Sequence, residues 1–317
     1  MRNGCRSVGD MGLLRLAHVD ISAPDLELAA AYYTQVLGLD LVERTSDLSG
    51  DRIFLKCWDE RDHHCLAIRY DPRVGLDRIS FKVEFEHDLD ELEAKVESYG
   101  IAVRRLAKGD EVGQGESIRF LTPSGHEMEL VHDIVKVGGR LPLVNPQPVP
   151  PLDLVGIAPP RLDHCLILAE EVGEMVHFMQ SCFDMYLTEQ VLTSEGHQMG
   201  AFLQRSGRMH DVAIIQGPNG GFHHLSFHLD DWDHVRRAAD ILAYHGVPID
   251  IGPTRHGISR GNTIYFFDPM GTRNEVFTGS YPADPDFPTI TWTEDNLGRA
   301  IFYYEGKDNG RFLTAHT

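Results

Sequence analysis

Apolar and polar positions alternate along two short segments, one near the start of each half of the chain. Residues 14–21 and 161–168 follow the period of two that is typical of half-buried strands. The first segment leads into PDLELAAAYYTQVLG, where apolar positions recur at helical spacing. Proline is accepted in the first turn of a helix and glycine is favoured just past its end, so the pattern predicts a helix between Pro24 and Gly38.

The pattern of the segments that follow this helix indicates the fold class. More strands follow, then a strand that contains Ser-Phe, a second helix, and a hairpin that turns on PSG or DPMG. This order gives βαβ-like blocks of mixed sheet and differs from a Rossmann pattern. The predicted fold class is α+β.

The chain repeats itself once, and three separated blocks coincide at one offset of 146 residues. LAHVDI matches LDHCLI, DRISF matches HHLSF, and TPSGHEMEL matches DPMGTRNEV. The central residues pair as follows: His18 with His164, Arg78 with His224, and Glu129 with Glu275. Gly100 and Gly246, each at the end of a helical stretch, also coincide. The repeat predicts two homologous domains.

Repeated prolines separate the two copies. Because proline disfavours both helix and central strand, residues 146–160 are predicted to be a linker. An N-terminal domain at 1–145 and a second domain at 161–280 flank it. Residues 281–317 have no counterpart in the repeat, but their aromatic content indicates a tail that packs near the active site.

Length and charge limit the classes of partner. The chain has 317 residues, enough for two domains of common size, and a formal net charge of −19. Nucleic acid and anionic membranes attract clustered Lys and Arg, so this charge argues against both. A small neutral or cationic ligand fits better.

The N-terminal sequence and the cysteines indicate a cytoplasmic protein. MRNGCRSVGDMG lacks the apolar core of a signal peptide, and no stretch approaches the roughly 20 apolar residues of a membrane span. The cysteines form an odd set without a CxxC pair, which suits neither a disulfide framework nor a zinc knuckle. We interpret them as reduced thiols that mostly pack: Cys5, Cys57, Cys65, Cys165 and Cys182.

The two copies differ chemically at their matched positions. The first copy has His18, Arg78 and Glu129. Because arginine keeps its proton in proteins, a guanidinium at the middle position excludes a metal cation and could pair with the glutamate instead. We expect the N-terminal domain to be metal-free.

The second copy offers a ligand set at the same positions. His164, His224 and Glu275 provide two neutral imidazoles and one carboxylate from three strands. Such a set on one face of a metal leaves the opposite face open, as in non-heme Fe(II) oxygenases, and Mn(II) accepts the same ligands. A catechol and O2 could share the open positions, and no organic cofactor would be needed.

Periodicity alone does not choose among the neighbouring histidines of FHHLSFHL. A period of two puts His224 and His228 on one face of the strand and His223 on the other. The repeat favours His224 as the ligand. His223 is then interpreted as a packing residue or as one that orients a ligand.

Several segments resemble the type I extradiol dioxygenases of the vicinal oxygen chelate superfamily, in particular the catechol 2,3-dioxygenases. The similar segments are RLDHCLIL, MHDVAII, FHHLSFHL, PTRHGISRGNTIYFFDPMGTRNEVF and ITWTEDNLGRAIFYYE. The resemblance covers nearly the whole chain and is strongest from residue 161 onwards. It implies two domains, each of two βαβββ-type modules that form a funnel-shaped barrel, with iron in the second funnel, and a homotetramer. The implied reaction is meta cleavage of catechol or a small substituted catechol by O2 to 2-hydroxymuconate semialdehyde.

The resemblance also implies roles for residues outside the metal triad. His256 and Tyr265 would favour the ionised form of the catechol by hydrogen bonding. His210 would face dioxygen and act as a general acid, for which a pKa near neutrality is suitable. From the residues alone, structural roles for His210 and Tyr265 and an exposed loop for His256 would be preferred. Three residues would line the ring pocket: Ile215, Ile258 and Phe312.

Three other functions compete with ring cleavage beside the diol. A glyoxalase-type lyase or isomerase would need metal ligands from paired modules, usually with two glutamates, and Arg78 obstructs that. A noncatalytic ligand-binding protein of the bleomycin-sequestering kind would need no metal triad. An intradiol dioxygenase would use iron(III) and paired tyrosine ligands, which the repeat does not offer.

Overall fold

The computed structural model describes residues 12–47, 50–284, 286–307 and 309–317. Residues 1–11, which include Cys5 and nearly all of the N-terminal sequence discussed above, lie outside these ranges. The other four cysteines, Cys57, Cys65, Cys165 and Cys182, are free and buried. Across the described ranges no helix is long and apolar enough to cross a membrane.

The first half of the chain folds into one mixed sheet built from two modules. The first module contains β1 (Leu13–Ala23), α1 (Leu26–Gln35), β2 (Asp40–Asp47), β3 (Gly50–Lys56) and β4 (Leu66–Tyr70). The second contains β5 (Gly75–Val83), α2 (Asp88–Ser98), β6 (Arg104–Leu106), β7 (Ser117–Leu121) and β8 (Glu127–Val131). The strand order is β2-β3-β4-β1-β5-β8-β7-β6. The antiparallel pair β1–β5 joins the modules, and the parallel pairs β1–β4 and β5–β8 close them.

The second half repeats this architecture. Its first module contains β9 (Arg161–Ala169), α3 (Val172–Phe183), β10 (Tyr186–Leu192), β11 (Gln198–Gln204) and β12 (Val212–Gln216). Its second contains β13 (Phe222–His228), α4 (Trp232–Tyr244), β14 (Ile249–Arg255), β15 (Gly261–Phe267) and β16 (Arg273–Gly279). The C-terminal residues add β17 (Ile290–Thr293), α5 (Leu297–Ile301) and α6 (Gly310–Thr314). The strand order is β14-β15-β16-β13-β9-β12-β11-β10-β17. The predicted α+β class and βαβββ modules are confirmed.

The helix predicted between Pro24 and Gly38 is α1. It begins at Leu26 because the side chain of Asp25 caps it, accepting a hydrogen bond of 2.9 Å from the amide of Leu28. Gly38 follows the helix with a φ of +84°, a left-handed conformation that favours glycine.

The end of the linker docks onto this helix. The amide of Ile157 donates to the carbonyl of Val36 at 2.9 Å, and the amide of Ala158 donates to that of Leu37 at 2.8 Å. These bonds satisfy carbonyls that the end of a helix leaves free. A second contact joins the halves where Tyr33 of α1 donates to Asp268, in the turn before β16, at 3.0 Å. The linker is thus fixed to the first half just before β9 begins.

Candidate metal centre and substrate cavity

Three adjacent strands of the second sheet bring the predicted ligands to one point. Ser226 of β13 is the register partner of both His164 on β9 and Glu275 on β16, and His224 lies two residues earlier on β13. The Nε2 atoms of His164 and His224 lie 3.1 and 3.3 Å from Oε2 of Glu275. Each residue offers a ligand atom within 4.8 Å of the others, and all three side chains are buried.

This donor set fits a divalent transition metal. The Nε2 atom of His224 is buried and makes no hydrogen bond, although it faces the carboxylate of Glu275. Buried polar atoms usually have a partner, so this nitrogen atom is available to bind a metal ion. Two imidazoles and one carboxylate suit iron(II) or manganese(II) and leave further coordination positions free.

The pKa values in the cluster have clear physical causes. Burial alone would lower the pKa of His164, but its hydrogen bonds with Asp163 and Glu275 raise that pKa to about 9. Burial would raise the pKa of Glu275, yet the three surrounding histidines hold it well below its usual range. Burial lowers the pKa of His224 to about 4. The carboxylate is therefore ionised and His224 neutral, and a cation would displace the proton of His164.

Two further residues orient the ligands. Asp163 accepts a hydrogen bond of 2.9 Å from Nδ1 of His164, and Arg208 lies 3.2 Å from the other oxygen of Asp163. The hydroxyl of Thr263 donates to Oε1 of Glu275. Such partners fix the direction of metal ligands.

The sequence analysis missed Asp163 and Thr263, although both left a signal. Asp163 immediately precedes His164 and could have been recognised as a carboxylate beside a metal-binding histidine. Thr263 lies two residues before Tyr265, so strand periodicity puts both side chains on one face of β15.

A bulge in β13 gives the histidine pair its arrangement. The pairing of β13 with β9 shifts register between Phe222 and His224, so that His223 is the extra residue. As a result, Nδ1 of His223 lies 2.6 Å from Nδ1 of His224. The structure leaves His228 outside the cluster, on the wall of a neighbouring cavity.

A cavity of about 160 Å³ opens beside the three ligands. The remaining site residues named from the sequence all lie on its wall: His210, His256, Tyr265, Ile215, Ile258 and Phe312. Other apolar side chains complete the lining: Leu166, Val191, Met199, Phe202, Phe277, Leu297, Ile301 and Leu313. The cavity is therefore mainly apolar, with hydrogen-bonding groups gathered at the metal ligands.

His210 precedes β12 and packs against His164, one of the predicted ligands. Its ring centre lies 4.0 Å from that of His164, and its Nδ1 lies 2.7 Å from the sulfur of Met209. This contact leaves Nε2 available to a ligand in the cavity. Burial, and after it the nearby charge of His164, lower the pKa of His210 well below 6.5, away from the near-neutral value expected, and its role as a general acid stays a prediction. His210 is therefore neutral and can accept a proton before it donates one.

His256 and Tyr265 form a hydrogen-bonded pair. Nδ1 of His256 contacts the carbonyl of Ile301, which can only accept, so Nδ1 carries the proton. Nε2 then accepts a hydrogen bond of 2.8 Å from the hydroxyl of Tyr265. Burial and the charge of Glu275 raise the pKa of Tyr265 well above its usual value, so its hydroxyl stays protonated. The His256 side chain is only 11% exposed, in contrast to the exposed loop that the residues alone favoured.

A buried carboxylate holds the loop that follows His256. Glu189 of β10 accepts hydrogen bonds from the amide of Ser259 (2.9 Å), the hydroxyl of Tyr281 (2.8 Å) and the indole of Trp292 (2.6 Å). Ser259 has a φ of +61° and directly follows Ile258 on the cavity wall. Glu189, which does not line the cavity, thereby holds Ile258 and Ser259 in place on its wall. Nothing in the local sequence marked it.

In the first half, the matched cluster is built around a guanidinium. Arg78 forms an ion pair with Asp20, and its Nε lies 3.5 Å from Glu129. His18, Asp20 and His64 also offer converging ligand atoms. The positive charge of Arg78 already neutralises the carboxylates there. A metal-free first half stays a prediction.

Two family models match the chain. Residues 76–134 match the catechol 2,3-dioxygenase-like N-terminal domain. Residues 161–276 match the glyoxalase/bleomycin resistance protein/dioxygenase superfamily. The second range contains His164, His224 and Glu275.

Known proteins resemble the chain over nearly its full length. It is 41% identical to the metapyrocatechase of Pseudomonas sp. (strain CF600), over 96% of this chain and 99% of that protein. It is 30% identical to the manganese-dependent 2,3-dihydroxybiphenyl 1,2-dioxygenase of Geobacillus genomosp. 3, over 92% of this chain and 94% of that protein.

Solved structures show the same likeness. The 2,3-dioxygenase LapB from Pseudomonas sp. KL28 is 40% identical, with a TM-score of 0.86 over 90% of this chain and all of that one. Homoprotocatechuate 2,3-dioxygenase from Arthrobacter globiformis is 26% identical, with a TM-score of 0.87 over 98% of this chain and 94% of that one.

Proposed function

The chain belongs to the metapyrocatechase family of extradiol dioxygenases, and from this premise we propose that His164, His224 and Glu275 bind iron(II) beside a pocket for a single-ring catechol. The chain is an oxidoreductase that cleaves the ring of a catechol next to the diol with O2. The observation that carries the proposal is the convergence of three buried ligands at the polar end of an apolar cavity. The relatives do not favour a lyase or a noncatalytic binding protein.

A metal is implied for the chain, and iron(II) is our proposal for its identity. When bound, the metal supplies open coordination positions for both reactants and a path for electrons between them. One relative is named as manganese-dependent. The test is therefore to load metal-free chain separately with Fe(II) and Mn(II) under argon and to compare turnover per bound metal; higher turnover with Mn(II) would contradict the proposal.

Tyr265 and His256 prepare the diol for reaction. A catechol oxygen that replaces their mutual hydrogen bond can accept from the Tyr265 hydroxyl and donate its proton to Nε2 of His256. The carbonyl of Ile301, bonded to Nδ1, then stabilises the imidazolium. The catechol becomes an anion whose charge, together with that of Glu275, balances a divalent cation.

His210 provides the second acid–base group. It is neutral, so it can accept the proton of the second catechol hydroxyl when that oxygen loses it during the reaction, and return this proton to the product later in the cycle. Its Nδ1 is engaged with Met209, which leaves Nε2 as the nitrogen that exchanges the proton.

The size of the cavity favours one aromatic ring. Cavities of about 150 Å³ in proteins bind benzene, and the cavity here measures about 160 Å³. Apolar side chains, Ile215, Ile258 and Phe312 among them, would contact the ring edge. We therefore propose catechol or a catechol with one small substituent as the substrate, with a role in the degradation of aromatic compounds.

The decisive experiment follows the product. Chain loaded with iron(II) without oxygen is given catechol and ¹⁸O₂, and mass spectrometry identifies the product. We expect 2-hydroxymuconate semialdehyde, which is yellow, with both labelled atoms apart from exchange at the aldehyde. Formation of cis,cis-muconate, or of a product without label, would contradict extradiol cleavage.

A homotetramer in the cytoplasm completes the proposal. The linker and the residues just before it expose apolar side chains that a neighbouring copy would cover, with Leu152 at 99% and Leu143 at 77% exposure. Light scattering after size-exclusion chromatography tests the assembly, and a monomer would contradict it.

The free buried thiols agree with a reducing compartment.

A further inference from the structure

The C-terminal segment closes over the proposed metal site and is held by a buried arginine. Phe312 and Leu313 of α6 line the cavity. The terminal residue Thr317 exchanges two backbone hydrogen bonds with Phe222, of 2.8 and 2.9 Å, at the start of β13. Arg273, only 1% exposed, donates to the carbonyls of Phe312 (3.1 Å) and Ala315 (2.9 Å).

His223 connects this segment to a metal ligand. Its Nε2 lies 2.6 Å from the carbonyl oxygen of Phe312 and 2.7 Å from Nη1 of Arg273. Its Nδ1 lies 2.6 Å from Nδ1 of His224. A neutral imidazole has one N–H and one acceptor nitrogen, and the neighbouring guanidinium disfavours a second positive charge on His223. The two histidines therefore share a limited set of proton arrangements.

One arrangement permits metal binding. If His223 donates from Nε2 to the Phe312 carbonyl, its Nδ1 is an acceptor, and Nδ1–H of His224 donates a hydrogen bond to it. The Nε2 of His224 then carries a lone pair toward Glu275. In the opposite arrangement, His223 accepts from Arg273 and donates from Nδ1 to His224. The Nε2 of His224 then carries the proton and cannot bind a metal.

We propose that the Phe312 carbonyl selects the metal-binding tautomer of His224, and that His223 transmits this selection as a positioning residue. The inference rests on the proposed metal site and adds that docking of the C-terminal segment strengthens it. Without the carbonyl, Arg273 is the remaining partner of His223 Nε2 among the described residues, and it can only donate. The segment that walls the substrate cavity thus also prepares the ligand.

The test measures Mn(II) affinity by electron paramagnetic resonance, which needs no turnover. Deletion of residues 310–317 is expected to weaken Mn(II) binding about 10- to 100-fold, the usual effect of losing a group that orients a ligand. The double substitution Phe312→Gly with Leu313→Gly undocks the segment without shortening the chain and should act in the same direction. Circular dichroism confirms that each variant is folded.

His223→Asn is the matched control. Asparagine keeps a polar atom near the position of Nδ1 but cannot reach the Phe312 carbonyl. In this background the deletion should change Mn(II) affinity less than about 3-fold, because the connecting group is gone. An equal loss in both backgrounds would overturn the inference, since the segment would then act by shielding the site alone. No loss in either background would also overturn it.

The outcomes also separate this inference from the proposed function. If the full chain binds no metal, or cleaves no catechol once loaded with iron(II), the proposed function fails. If the full chain does both and its deletion variant binds Mn(II) equally well, only the inference about Phe312 and His223 fails.

Discussion

Arg78 and His224 occupy matched positions in the two halves, on strands with the same place in their modules. Each faces a buried glutamate at a similar distance, 3.5 Å for Arg78 with Glu129 and 3.3 Å for His224 with Glu275. The guanidinium neutralises its carboxylate with a charge of its own, whereas the neutral imidazole adds a lone pair. The same backbone therefore supports an ion pair in one half and a ligand set in the other.

We expect His164→Ala, His224→Ala and Glu275→Ala each to remove stoichiometric metal from the chain. Each deletes one of three ligands whose atoms converge within 4.8 Å. Elemental analysis of chain loaded with iron(II) measures the loss. The matched control is His18→Ala in the first half, which should keep the full metal content, as should Glu129→Ala. Equal loss from the first-half variants would contradict a single site.

His210→Phe should keep the metal and bind catechol anaerobically, but should turn over about 10²- to 10⁴-fold more slowly, because a proton-transfer group is missing. The optical spectrum of the anaerobic catechol complex reports binding, and stopped-flow mixing with O2 reports the slow step. Loss of metal in this variant would make His210 a ligand and contradict the assigned triad.

The triad could be identified from the sequence because the repeat compares two chemically different copies of one position. Asp163, Thr263 and Glu189 could not be identified in this way. The matched positions of the repeat do not include them. Asp163 beside His164 and Thr263 on the face of Tyr265 leave only weak signals, whose meaning depends on which strands lie side by side. The low pKa of His210 was missed for a related reason, since burial is a property of the folded chain.

Strand β10 holds the loop after β14 in place through Glu189. Glu189 joins them to Tyr281 and to Trp292 of β17, so one carboxylate connects a central module with the C-terminal strand. The consecutive left-handed residues Ser259 and Arg260 require such an anchor, because non-glycine residues adopt this conformation at a cost.

Glu189→Gln should lower the free energy of unfolding by about 1 to 3 kcal/mol, since one side-chain amide cannot accept hydrogen bonds from all three donors. The KM for catechol should rise more than kcat falls, because Ile258 moves while the metal ligands stay in place. Urea unfolding and steady-state kinetics measure both effects. Glu195→Gln, at an exposed turn after β10, is the matched control and should change neither. Unchanged KM in the Glu189 variant would contradict its role.

Helices and strands were easier to predict than their irregularities. α1 follows from its apolar spacing and its flanking residues, and Gly100 and Gly246 end helical stretches with positive φ as expected. The bulge at His223 could not be predicted, because the sequence of β13 fits an unbroken alternation equally well. At that bulge the Nδ1 atoms of His223 and His224 lie 2.6 Å apart.

At the scale of the whole molecule, the first half is notable for its buried charged groups. Glu111 lies 2.7 Å from both Arg52 and Arg119, and Arg119 donates to Glu129 at 2.8 Å. Burial would raise the pKa of Glu111, but the nearby guanidinium groups, Arg78 first among them, lower it below 4.5. Arginine and carboxylate together thus stabilise the interior of this half.

The stability of the first half should fall in acid. A carboxylate with a lowered pKa stabilises the fold fully above its unfolded value of about 4.5, and this stabilisation disappears as the pH falls through the lower folded value. At pH 7 Glu111→Gln should cost about 1 to 3 kcal/mol. The difference from the unaltered chain should shrink below pH 4.5, as measured by urea unfolding at several pH values. A difference independent of pH would contradict this origin.

The positive charge of Arg78 is part of the polypeptide and is present as soon as the chain is synthesised. An ion taken from solution can be stripped by a chelator, displaced by a competing metal or withheld when iron is scarce, whereas a guanidinium on a covalent tether cannot. The buried carboxylates of the first half therefore have a counter-charge that does not depend on a bound ion. Withholding the metal proposed for the second half should abolish activity while the first half keeps its shape. Returning that metal should restore activity to chains that are already folded.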